Sequence, residues 1–420
     1  MRIIPRPFLV LAAATAMLAT GSLPAQDSQL LLQKLVEKGI LTRQEADALL
    51  KQQVQEQRTL LQQAPSDLPS WVKRLNLQGD LRLRAQYVGS NGAGTPGREL
   101  FRYRLRYGIV ATLTESWTVG FRLASGSDTD PISTNENLGD DGLRDPVNID
   151  QAYVLWTPRK ALKLSMGKMP NPMKFGPAFE GAIMDGDLNP EGLGLNYVHS
   201  LSDSTQVGLN AAVLVIAESK TYARDAYAGL IQATLSSKLT SRFDANLGLG
   251  TYSLWNRQTI AALGLYENRG NTYSNNAPLH AMNPLIADGS LTYMVGAFPI
   301  TLGGVLIHNP GASEKNDGFM VGVTLGKANR AGTWEVGWQF RELQADALYD
   351  RWADSDFGAY GVGGTTSDYK AGTNVRGHLL RFQYQLADAW TLASTFYRAE
   401  AIGTNGHPTT RAQFDLIWKF

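Results

Sequence analysis

Residues 101–109 read Phe101-Arg102-Tyr103-Arg104-Leu105-Arg106-Tyr107-Gly108-Ile109. Phe101, Tyr103, Leu105, Tyr107 and Ile109 alternate with three arginines. On an extended chain successive side chains point to opposite faces, so the arginines share one face and the apolar groups the other. A helix would scatter both sets around its circumference. The stretch is a strand with one greasy and one cationic side.

The same scheme runs outward from it. Leu75, Leu77, Leu81, Leu83, Ala85 and Tyr87 alternate with Gln78, Asp80, Arg82, Arg84 and Gln86. Further alternating runs fall near 117–125, 147–157, 162–169, 191–200, 204–217, 224–237, 241–253, 286–295, 298–309, 317–327, 333–346, 374–387, 389–400 and 411–420. That makes about sixteen strands, an even number. The connections alternate short and long: 114–116, 158–161, 237–240 and 327–332 are short, whereas 126–146, 170–190, 254–285 and 347–373 are long. A membrane-spanning antiparallel barrel has short turns on one side and longer loops on the other, and a soluble sandwich has no reason to keep that order. Trp117, Trp156, Trp334, Trp390 and Trp418 lie near the short-turn end on the apolar parity, as an interfacial aromatic belt would. The closing run Phe414-Asp415-Leu416-Ile417-Trp418-Lys419-Phe420 puts Phe, Leu, Trp and Phe on one face. The fold expected is all-β: a transmembrane antiparallel β-barrel of about sixteen strands over residues 71–420.

Composition supports export. The chain has no cysteine, 42 glycines, 16 tyrosines and 9 tryptophans. Met1-Arg2 and Arg6, the apolar run Phe8 to Leu18 and the small-residue exit to Ala25 describe a signal peptide over residues 1–25. Of 39 basic residues Arg2 and Arg6 leave with it, so 37 face 38 acidic ones and the remainder is near neutral, which argues against a nucleic-acid partner.

Residues 27–63 read differently. Leu31, Leu32, Leu35 and Val36 recur at helical spacing, and Thr42-Arg43-Gln44-Glu45 forms a capping box before Ala46, Leu49, Leu50 and Val54. A short α-helical periplasmic segment is expected there, serving as a spacer or as an oligomerisation handle, since its apolar faces are too short to bury themselves alone.

The stretch Leu31-Leu32-Gln33-Lys34-Leu35-Val36-Glu37-Lys38-Gly39-Ile40-Leu41-Thr42-Arg43-Gln44-Glu45-Ala46, with Gly167-Lys168-Met169-Pro170-Asn171-Pro172, Met184-Asp185-Gly186-Asp187 and Glu191-Gly192-Leu193, resembles the putative-porin family of Gram-negative outer membranes. The resemblance implies a general outer-membrane channel of sixteen strands that assembles as a homotrimer. It brings outer-membrane lipid and lipopolysaccharide as surroundings, small hydrophilic solutes as cargo and the barrel-assembly machinery as receiver of the terminal aromatic strand. A fainter likeness to phosphate-selective porins implies an anion channel as the alternative.

Inward side chains decide what such a channel passes. The parity turns Arg82, Arg84, Arg102, Arg104 and Arg106 inward from two adjacent strands. Arg122 follows on the third, and Arg411 and Lys419 on the last strand extend the wall. In sixteen-stranded porins the third long loop narrows the channel, which here is 170–190. Its Lys174, Glu180, Asp185 and Asp187 would set an acidic loop across a water-filled lumen from the basic wall. The competing reading is that several arginines pair with carboxylates away from the path. A barrel hydrolase is disfavoured because none of the five histidines sits in a nucleophile motif and no metal-ligand spacing occurs, so no catalytic residue, metal or cofactor is expected. A barrel adhesin remains open through the Asn-, Gly- and Asp-rich loops 254–285 and 347–373.

Overall fold

The computed structural model describes residues 74–90, 97–139, 141–176, 179, 181–221, 224–275, 277–360, 369–403 and 408–420. The signal peptide, the helical segment at 27–63 and Glu180 lie outside them.

Sixteen long strands follow in sequence among the described residues: β1 (Leu75–Ser90), β2 (Arg98–Thr112), β3 (Trp117–Ser125), β4 (Val147–Arg159), β5 (Leu162–Lys168), β6 (Glu191–Ser200), β7 (Thr205–Ala217), β8 (Ala226–Lys238), β9 (Phe243–Trp255), β10 (Leu285–Val295), β11 (Phe298–His308), β12 (Asp317–Gly326), β13 (Trp334–Leu343), β14 (Val375–Ala387), β15 (Trp390–Ala401) and β16 (Thr409–Lys419). Each pairs antiparallel with the next, and β16 returns to β1 from Asp80 opposite Lys419 to Ser90 opposite Thr409. Closure leaves no unpaired edge, which an apolar bilayer would not tolerate. The strand positions agree with those read from the periodicity.

The two faces sort as the alternation requires. Outward Leu77, Leu83, Phe101, Leu105, Leu247, Leu302 and Leu306 are exposed, while inward Asp80, Arg84, Gln86, Gln339, Arg341, Arg411 and Gln413 are buried. In water this would be inverted; in lipid it is the stable arrangement. The five tryptophans named above are between 37 and 41 % exposed. Trp117 stacks on Trp156 at 5.5 Å, and Trp390 stacks on Trp418 at 5.9 Å, each across a ladder pair. A belt of this kind fixes the depth of the barrel at the interface.

Phe420 completes the seam. Its carbonyl accepts from the Gly79 amide at 2.8 Å, and its own amide donates back at 3.1 Å. Its ring lies 4.7 Å from Trp418 and 6.1 Å from Tyr107. A β-carbon on Gly79 would come within 2.6 Å of that ring, so the glycine makes room for it. Deleting Phe420 removes two hydrogen bonds, worth roughly 1 kcal/mol each, and an aromatic contact of about 0.5–1.5 kcal/mol. The expected result is less heat-modifiable barrel in the membrane fraction and more degraded protein. Wild-type levels of folded barrel after the deletion would show that the terminal aromatic is dispensable.

Candidate functional site

The arginine wall stands on β1 and β2. The ladder sets Arg82 opposite Arg104 and Arg84 opposite Arg102. All four guanidiniums therefore project to the same lumen side, joined by Arg106 on β2 and Arg122 on β3. Six like charges on one wall repel, and the structure places carboxylates among most of them. Asp80 on β1 takes Arg104 at 2.7 Å and Arg106 at 2.6 Å. Asp415 on β16 binds Arg84 in a two-pronged pair at 2.7 and 2.8 Å. Arg122 pairs with Asp150. Arg82 and Arg102 stand apart: among the described residues neither makes an ion pair, and the Nε of each is buried without a partner.

Asp150 reaches the lumen because of a bulge. Between β3 and β4 the register slips by one residue after Arg122, and Asp150 and Gln151 are both buried on the inner side. Such an insertion re-aims a side chain without breaking the barrel. Strict period-two reading puts one of the two outside.

The loop 169–190 does enter the barrel, and it makes three kinds of anchor. At its start Asn196 donates to the Pro172 carbonyl at 2.8 Å and the Lys174 amide donates to Gln232 at 3.0 Å. At its end Asp187 receives Arg106 at 3.1 Å, Arg104 at 3.5 Å and the Thr134 hydroxyl at 3.0 Å, and Asn189 donates to Asp150 at 2.7 Å. Between them Met169, Met173, Phe175, Phe179, Ile183 and Met184 pack against inward Leu214, Leu230, Tyr252, Ile286, Val305 and Met320. Gly250 accommodates Phe175, whose ring a β-carbon there would approach to 2.5 Å. Each such buried side chain contributes about 1.5–3 kcal/mol.

Two expectations change here. The lumen is not polar throughout: its β7–β13 side is a packed apolar cluster, because loop 169–190 alternates charged residues with a Met- and Phe-rich set that needs cover. The acidic loop does not face the basic wall across water either, since Asp187 lies directly on Arg104 and Arg106. Lys174 is exposed, and its side chain has no carboxylate partner among the described residues.

A second loop also turns inward, where the sequence suggested an outside one. Leu348, Tyr349, Trp352, Ala353 and Phe357 are buried, and Trp352 packs on Tyr252 at 5.2 Å. Asp354 pairs with Arg341 at 2.6 Å, while Asp356 pairs with Arg84 at 3.3 Å and with Arg411. The two loops meet at Asp185, whose amide donates to the Trp352 carbonyl at 2.7 Å and whose carboxylate accepts from the Ser355 amide at 2.8 Å. Asp185 therefore joins loop to loop, and Asp187 joins loop to wall.

Outside this junction Asp350 ties the second loop to residues 266–271. One of its oxygens accepts from the amides of Arg269 at 2.6 Å and Asn271 at 3.1 Å and from the Tyr266 hydroxyl at 3.2 Å. Its other oxygen has no partner. Burial pushes this carboxyl up to about 6 despite those donors. A carboxyl held above its unfolded value of about 3.9 contributes stability that is complete below pH 4 and lost as pH rises towards 6, roughly 3 kcal/mol at most. Amide exchange at residues 345–352, corrected for intrinsic rate, should show more protection at pH 4 than at pH 7. Asp350→Asn should flatten that difference; an unchanged profile in the variant would assign it to another group.

Two cavities mark the space left open. One, of about 760 Å³, opens between the loops and is lined by Asp128, Asp130, Glu191, Tyr266, Arg351 and Trp352 among others. The other, of about 430 Å³, is lined by Arg122, Lys174, Met173, Met184 and Asp185. Leu188 and Asn189 border both. Both cavities carry charged and polar side chains in their lining. Among the described residues no group of three or more His, Cys, Asp or Glu is placed to hold a metal ion.

Comparison with known proteins accords with this geometry. OprB of Pseudomonas putida, in its high-pH structure, is 10 % identical with a TM-score of 0.54, over 83 % of this chain and 95 % of that one. A five-site mutant of the Rh. blastica porin is 14 % identical with a TM-score of 0.45, over 82 % of this chain and all of the other. No protein of curated function matches. Residues 91–269 and 306–420, which hold both inward loops and most of the wall, match the family described as "Putative porin". With its closed sixteen-stranded barrel, apolar outer face and charged lumen, the chain belongs to the putative-porin family of outer-membrane barrels.

Proposed function

We propose that the protein forms a water-filled pore through which small hydrophilic solutes and ions diffuse passively, and that the pore favours anions. The observation that carries this reading is the row of lumen guanidiniums on β1–β3, two of them without a carboxylate partner among the described residues. Charges lining a narrow pore act at short range in a reduced dielectric, so salt screens them less than surface charges. The family and fold point to a non-enzymatic channel. A substrate-selective anion porin is the second reading, favoured by the same unpaired arginines.

The mature chain would comprise a periplasmic helical segment at 27–63 and the barrel at 71–420, following a signal peptide at 1–25. A homotrimer set in lipopolysaccharide and lipid, delivered by the barrel-assembly machinery, follows from the likeness to porins. Liposome swelling tests permeation: small sugars should enter faster than larger ones, with a sharp size limit. Exclusion of every solute would contradict the reading. A cysteine at exposed Asn275 should label on intact cells and one at Gln55 should not. Labelling at Gln55 would reverse the orientation.

A further inference from the structure

We infer that Arg82 and Arg102 form a discrete site for one small oxyanion, a carboxylate or a phosphate, within the channel. The inference rests on the pore reading and adds a bound state to it. Each neighbour on the wall is matched: Arg84 by Asp415 and Asp356, Arg104 and Arg106 by Asp80 and Asp187, Arg122 by Asp150. Of these six arginines only Arg82 and Arg102 make no ion pair among the described residues, and both Nε–H groups are shielded from water yet bond to nothing. An unsatisfied buried donor costs about 1–3 kcal/mol, more when it is charged. Two such donors on one lumen face are places where an incoming anion gains hydrogen bonds that the chain itself does not supply.

Geometry fits one anion between them. Arg82 lies opposite Arg104 and Arg102 lies opposite Arg84, so the pair is diagonal across the β1–β2 ladder, a separation of ~7–8 Å between backbones. Two planar guanidinium forks rising from one face at that span supply the donors that the oxygens of a carboxylate or phosphate need. One fork is already oriented: Arg82 Nη2 donates to Asn135 Oδ1 at 2.5 Å, and Asn135 is itself held by Ser133 at 3.2 Å. Chloride, a single spherical acceptor, cannot engage both forks in this way.

The test uses the full chain in a planar bilayer in potassium chloride. Inorganic phosphate added to one side should reduce the chloride current in a saturable manner. In Arg82→Gln/Arg102→Gln the half-blocking concentration should rise about tenfold or more, a change equal to about 1.4 kcal/mol, while stepwise conductance persists. Acetate run in parallel assigns the source, because the anion that blocks at lower concentration is the better ligand. Arg82→Lys/Arg102→Lys keeps the charge and loses the forks, so block should be intermediate; full retention would reduce the site to a general field and overturn it. Equal block in wild type and the Gln pair, or no block in a wild type that conducts, would also overturn it. If the wild type shows no steps at all, the pore reading itself fails, which is a separate outcome. Removing two like charges relieves repulsion, so the Gln pair should assemble. Arg102→Gln alone provides the same comparison if it does not, with a smaller but measurable rise.

Discussion

Replacing residues 347–357 with a short glycine–serine linker is expected to raise single-channel conductance, by about twofold or more, because the cross-section at the junction of the two inward loops sets the resistance. This segment contributes Leu348, Tyr349, Trp352 and Phe357 to the lumen, all nearly inaccessible. It also supplies the carboxylates of Asp354 and Asp356. Excision should therefore widen the passage and take Asp354 from Arg341 and Asp356 from Arg84 and Arg411, leaving Arg84 its Asp415 pair, so anion preference should rise with conductance. The point variant Trp352→Ala loses packing worth about 3–5 kcal/mol. It should produce frequent openings of the loop rather than a permanently wider pore. Conductance unchanged by the excision would mean that the segment lies off the ion path.

Neutralising both partners of the inner arginines should have the second large effect. Asp80→Asn with Asp187→Asn leaves Arg104 and Arg106 without carboxylates in a site where both acids are largely buried. Breaking a buried pair from one side costs about 3–5 kcal/mol because the remaining charge stays in place. The barrel ladder does not depend on these groups, so the loss should fall on loop 169–190, which Asp187 holds at its far end. Noisy current and a reversal potential shifted towards anions are expected. As a contrast, Leu105→Lys places charge on the lipid face and should cost ~2–4 kcal/mol near the bilayer midplane, read as poor insertion with unaltered selectivity in what does assemble. A selective channel unaffected by the double aspartate change, with Leu105→Lys tolerated, would mean that inside and outside had been exchanged.

The barrel was legible because its determinants are local and periodic. Alternation along 101–109 and its repeats sets the strands, and short against long connections set the topology. Both survive without any knowledge of what each strand touches. The lumen was harder to read for three physical reasons. Asp80 and Asp415 sit on the same inward parity as the arginines, but only ladder register reveals that they lie within bonding distance of Arg104, Arg106 and Arg84. The bulge at Asp150 adds a residue that period-two counting cannot see. The inward turn of 344–357 depends on long-range partners, Arg84, Arg411, Tyr252 and Asp185, far away in sequence. A trace was present, since Leu348, Tyr349, Trp352 and Phe357 are more apolar than a solvated loop tip requires. The Met- and Phe-rich composition of 169–184 carried a similar hint that the loop packs against a wall.

Purified full-length protein added to a planar bilayer tests the central claim most directly. The account predicts discrete, uniform conductance steps in potassium chloride and a reversal potential of the sign for anion preference under a salt gradient. A heat-modifiable, correctly folded barrel that inserts and yields no steps would contradict it.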